Sequence, residues 1–122
     1  VSFMQTQYNV GNFGSEHVRT AKDSEYRAFS HITQKLTNAG KSGDTRAMIE
    51  AAAANNELWT TLAADLAHPG NKLPPEVKAG LLSLAFFSIK QGRRILQGGS
   101  SPDALIDINV KIMKGLRGEG IS

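Results

Sequence analysis

Residues 56–116 read NELWTTLAADLAHPGNKLPPEVKAGLLSLAFFSIKQGRRILQGGSSPDALIDINVKIMKGL, and this stretch decides the fold. Apolar residues return every three or four positions, and two breaks interrupt them, His68-Pro69-Gly70-Asn71 and Gln97-Gly98-Gly99-Ser100. That is the pattern of three successive helices. The central one is expected over 75–97. Leu73-Pro74-Pro75 sets up its start, because proline fits a first helical turn, where its missing N–H has no intrahelical partner to lose. It carries two apolar ridges: Val77, Leu81, Leu84, Ser88 and Ile95 on one, Leu82, Phe86 and Ile89 on the other. Ala85 and Phe87 flank them. A helix apolar around most of its circumference is usually the buried centre of a bundle. The last helix is expected over 102–116, with Ser101 as N-cap, Pro102 in the first turn and Asp103 beside the positive end of the helix dipole. Leu105, Ile108, Ile112 and Leu116 share one of its faces, with Ile106, Val110 and Met113 alongside.

Upstream, Ser15 is expected to cap a first helix over 16–39. Its stripe is Val18, Phe29, Ile32 and Leu36, with Tyr26 and Ala39 at the margins. The run GKSGD, residues 40–44, closes it with two glycines, and Asp44 caps a second helix reaching Ala67. Met48, Ala52, Asn55, Trp59, Leu62 and Leu66 share a face of that helix, and the small block Ala51 to Ala54 allows a neighbour to approach closely. Asn55 in mid-stripe must be partly exposed or hydrogen-bonded. Residues 1–14 show no helical period and read as a loose arm, with Phe3, Tyr8 and Phe13 as docking points. Residues 117–122 read as a flexible tail. No segment alternates as a strand does. The expectation is an all-α fold, a small four-helix bundle over 15–116 with a loose N-terminal arm.

Composition narrows the function by exclusion. At 122 residues, 40% hydrophobic and 20% charged, the chain fits one soluble domain with one modest core. The absence of cysteine removes disulfides and thiolate zinc sites. VSFMQTQYNV at the start is too polar for a signal peptide, and the longest apolar run, 79–89, is about half a membrane span. A cytoplasmic location is therefore expected. The net charge of +3, from 14 basic and 11 acidic residues, is mild. Lys90, Arg93 and Arg94 form the densest basic group. They read first as complements to the negative end of a helix dipole, and second as an RNA-contact patch. His17, His31 and His68 lack metal-ligand spacing, and Asp103 and Asp107 are explained by dipole and solvent. No phosphate loop and no nucleophile elbow is present. A non-enzyme without metal or cofactor is expected. Trp59 is most simply a core anchor, the other reading being a binding hot spot at a groove rim.

Several phrases, taken in order, resemble the FlaF family of flagellar biosynthesis regulators. They are Ser24-Glu25-Tyr26-Arg27-Ala28-Phe29, then Glu57-Leu58-Trp59-Thr60 with Asp65, then Pro69-Gly70-Asn71-Lys72-Leu73-Pro74. The run LLSLAFF at 81–87 follows, then Leu105-Ile106-Asp107-Ile108-Asn109 and Ile112-Met113-Lys114-Gly115-Leu116. The resemblance spans about residues 15–116. It departs at Phe87, where tryptophan is often expected, and at Gly92, which weakens a helix. It implies a cytoplasmic regulator that promotes flagellin production and export, with flagellin as partner and FlbT as a second candidate. Unassembled flagellin exposes amphipathic terminal segments, and a small apolar groove could hold one helix-in-groove. The candidate partner-binding residues are Trp59, Leu82, Phe86, Phe87, Ile89, Ile106, Val110 and Met113. Two readings stay open beside this one: the same ridges as bundle interior, and a homodimer burying the third helix. An RNA-binding regulator would instead use Lys90, Arg93, Arg94, Lys111, Lys114 and Arg117, without aromatic interleaving for base stacking.

Overall fold

The computed structural model describes residues 15–116, with side chains from residue 24 onward. The expected arm, tail and the positions Phe3, Tyr8, Phe13, His17, Val18 and Arg117 lie outside these limits. Four helices follow in order: α1 (Ser15–Ser42), α2 (Thr45–Ala67), α3 (Pro75–Leu96) and α4 (Asp103–Leu116). There is no strand among the described residues.

Local chemistry sets the boundaries. The Asp44 carboxylate accepts the Ala47 N–H at 3.1 Å, so α2 begins where its cap was expected. Ser101 Oγ accepts the Asp103 N–H at 3.1 Å at the entry to α4. At the end of α3, Gly98 adopts φ 90°, while the Gly98 and Gly99 amides return to Ile95 and Arg94 at 2.9 and 3.2 Å. That is a Schellman closure, and a Cβ at Gly98 would strain it. The first helix runs further than expected. Gly40 stays helical, and the stop falls on Gly43, with φ 70° and its amide on Ala39 at 3.1 Å. Gly40 lies beside the entry to α4, where a Cβ would stand 3.4 Å from the Pro102 ring, an ordinary contact.

Each helix adjoins its sequence neighbours, and α1 closes the ring against α4; the diagonal pairs keep their backbones apart. Two buried clusters fix the directions. Leu36, Ala51, Ala52, Ile95 and Leu105 join the end of α1, the start of α2, the end of α3 and the start of α4. The larger cluster, including Phe29, Leu58, Trp59, Leu62, Leu66, Ala85, Ile112 and Leu116, fills the opposite half. The result is an up-down-up-down four-helix bundle. Trp59 sits at its centre, fully buried, with the Phe29 ring edge-on at 5.6 Å.

The expectation that α3 forms the buried centre is corrected. Its core line is Ala85, Ser88, Gly92 and Ile95, mostly small residues that bring α2 close. A Cβ at Gly92 would fall on the Asn56 carboxamide of α2, 2.8 Å from its carbon. Filling the seam with small side chains turns the bulkier ones toward the flanks and outward.

Candidate functional site

The candidate residues divide by burial into three groups. Trp59 leaves the candidate surface altogether. Its ring is core, as the simpler reading held, and its Nε1–H donates to Asn109 Oδ1 at 3.0 Å. Asn109 Nδ2 in turn donates to Asn55 Oδ1 at 2.8 Å, so the mid-stripe asparagine is wholly buried and hydrogen-bonded. This chain crosses the bundle diagonally between α2 and α4. A buried indole N–H needs such an acceptor, and the asparagine pair supplies it.

Leu82, Ile89, Ile106, Val110 and Met113 are half-buried. Leu82, Ile89 and Met113 pack against the larger cluster, and Ile106 against the smaller one. Both apolar arcs therefore serve the bundle along one edge and meet solvent along the other. The groove-or-interior alternative resolves into seams between helices.

Phe86 and Phe87 stand apart. They are 64% and 49% exposed, on the outward side of α3, with Leu82 and Ile89 at the base of Phe86 on the same helical flank. Lys90, Arg93 and Arg94 continue that face toward the C-terminus, all exposed. Only Arg93 and Arg94 belong to the last turn, where the dipole argument applies. The spacing that joins them to the phenyl rings, Phe86 to Lys90 to Arg93 and Arg94, was legible in the sequence. It was missed because the apolar and basic residues were read separately.

A second concavity escaped the sequence reading. A cleft of about 420 Å³ lies where the α1–α2 turn meets the α3–α4 turn, lined by Met48, Ile49, Ile95, Leu96 and Pro102 among others. Ile49 and Leu96 are 43% and 38% exposed there. No single local pattern announces it, because its walls come from two distant stretches, 39–49 and 95–102. His31 and His68 are exposed, and His68 Nδ1 accepts the Gly70 N–H at 2.9 Å within the turn. Among the described residues no group of three His, Asp or Glu side chains is placed to hold a metal. No helix among them is long and apolar enough to cross a membrane.

Comparison with known proteins gives one match. A family model described as flagellar protein FlaF covers residues 5–116. It begins ahead of the resemblance traced from residue 15, so part of the segment first read as an unmatched arm belongs to the matched region. The glycine-rich tail beyond 116 lies outside it. No curated protein and no solved structure matches the chain significantly.

Proposed function

Because this chain belongs to the FlaF family of flagellar proteins, with a role in flagellum biogenesis, we propose that it binds flagellin as a secretion chaperone. In this reading it is a non-enzymatic, cytoplasmic protein. It holds flagellin unpolymerised and export-competent, and so promotes flagellin synthesis and export, with FlbT as a further partner in the same control. The observation that carries the reading is the exposed Phe86–Phe87 pair on α3. A Phe side chain contributes about 1.5–3 kcal/mol on full burial. With half to two thirds of each ring still open, covering both is worth roughly 2–3 kcal/mol, or about 30- to 150-fold in affinity. An amphipathic flagellin segment laid across α3 is the kind of ligand that collects such a term.

The test is co-purification of this chain with its cognate flagellin, sized at low and high salt. A one-to-one complex that survives high salt is expected, and it should be lost in Phe86→Asp while that variant keeps its helical content. A folded protein with no flagellin complex would refute the reading. An RNA-binding regulator behaves differently: phosphate contacts make affinity fall steeply with salt.

A further inference from the structure

We propose that the segment seated on α3 is an acidic amphipathic helix, gripped by Phe86 and Phe87 and by the three cations that follow them. The inference rests on the reading of the phenyl face as the docking surface, and adds the charge of the occupant. Four observations carry it. All five side chains, Phe86, Phe87, Lys90, Arg93 and Arg94, are exposed. They are neighbours on one helix face, since Lys90 lies four residues beyond Phe86 and three beyond Phe87, and Arg94 four beyond Lys90. From Phe86 to Arg94 the face runs about 12 Å along the axis. Finally, none of the three cationic side chains has an ion pair or hydrogen bond within the described residues.

The helix dipole accounts for Arg93 and Arg94 by themselves, but its influence fades within the last turn and does not reach Lys90. Nor does it explain why the cations continue a face that begins with two open phenyl rings. The acidic residue of α3, Glu76, lies at the other end, roughly 15 Å from Phe86, too far to neutralise them. A partner helix therefore meets an apolar patch and then a positive one whose cations make no ion pair among the described residues. Its apolar stripe covers the phenyl rings, and its carboxylates belong one to two turns further on, opposite Arg93 and Arg94. A basic helix with the same stripe is repelled at that end. A lipid surface also takes aromatic and basic residues. It is disfavoured here because the large apolar side chains exposed on this face are one phenyl pair bounded by Ser83, while Val77 and Leu96 open onto other sides of α3, so no helix-long stripe forms.

The experiment uses the full chain and three probes: two synthetic amphipathic peptides of about five helical turns, and phosphatidylglycerol vesicles. The peptides share one leucine stripe and differ only in carrying Glu or Lys at the positions facing the cations. The acidic peptide is expected to bind about tenfold more tightly than the basic one, the sum of three solvent-exposed charge contacts. The preference should vanish or invert in Arg93→Glu/Arg94→Glu, and Phe86→Ala should weaken both peptides alike. Equal binding of the two peptides, binding of neither, vesicle binding in their place, or self-association that excludes the acidic peptide would each overturn the proposal. Flagellin co-purification on the same preparations separates the two readings. Flagellin held without any charge preference sinks the acidic-helix inference alone, whereas acidic preference without a flagellin complex sinks the flagellin reading alone.

Discussion

Replacing Asn109 with leucine tests the account of the core most severely. Leucine has the branching and heavy-atom count of Asn109 and is somewhat larger, so the change leaves no cavity, but it removes both hydrogen bonds that Asn109 makes, at 3.0 Å from Trp59 Nε1 and 2.8 Å to Asn55 Oδ1. Trp59, Asn55 and Asn109 are all fully buried, so no solvent replaces the lost partners. Each orphaned buried group costs about 1–3 kcal/mol. Two such groups give roughly 2–6 kcal/mol, offset by about 1–2 kcal/mol from the added apolar burial. A net loss of about 1–4 kcal/mol is expected, a large share of the 5–15 kcal/mol typical of a domain. Urea unfolding followed by far-ultraviolet circular dichroism reads it. Fluorescence of the single tryptophan provides the second probe that a two-state analysis requires. The double variant Asn55→Leu/Asn109→Leu removes one of the two orphans, and should recover about 1–3 kcal/mol of the loss. If Asn109→Leu matches the parent protein, or if the double variant is less stable than the single one, the polar chain does not hold the bundle as argued.

Two further expectations follow from helix packing and capping. Gly92→Ala gains about 1 kcal/mol of helix propensity but drives a Cβ into the Asn56 carboxamide at a cost of about 1–3 kcal/mol, so a net loss of up to about 2 kcal/mol is expected. Adding Asn56→Ala should relieve most of it, and a thermal-melt double-mutant cycle reads the coupling. Asp44→Ala removes the side-chain acceptor at the start of α2 and should cost about 1 kcal/mol in the same assay. By contrast Phe86→Asp should stay within about 1 kcal/mol of the parent protein, because its ring is mostly in solvent, and the larger effect should fall on binding.

The helices and most of their ends were legible because caps and breaks are local chemistry. Asp44 accepts an amide three residues on, and Gly98 takes the left-handed turn that other residues resist, whatever surrounds them. Gly40 shows the limit of that logic. It looked like a terminator, yet it is a helical residue beside Pro102, which lies 62 positions away and is brought there only by the fold. The inward face of α3 was misread for a related reason. Apolar periodicity ranks side chains by their aversion to water, whereas the α2–α3 seam selects by room, and room favoured Ala85, Ser88 and Gly92. The small block of α2, Ala51 and Ala52 included, had pointed to a close neighbour without saying which one. At the candidate surface, a wheel could place Leu82, Ile89, Ile106 and Met113 on apolar arcs, but their half-burial depends on how deeply the neighbouring helices sit.

The phrases that carried the family resemblance turn out to divide between scaffold and surface. Trp59 and Asn109, from two phrases 50 residues apart, meet in one hydrogen bond at the centre of the bundle. Asn71 caps its own turn through the Leu73 amide at 3.1 Å. These contacts explain why such residues are needed to build the domain, and they say nothing of a partner. The LLSLAFF run is different. Its Ala85, followed by Ser88 and Gly92, satisfies the seam with α2, and that contact needs nothing from Phe86 or Phe87. Other exposed positions on the same helix, such as Glu76 and Ser83, carry the polar or short side chains that solvent favours. Two adjacent phenyl rings in such positions add little to folding and raise the risk of self-association. On the proposed reading a partner covers them, and the cations beside them, without an ion pair among the described residues, give that partner a sign.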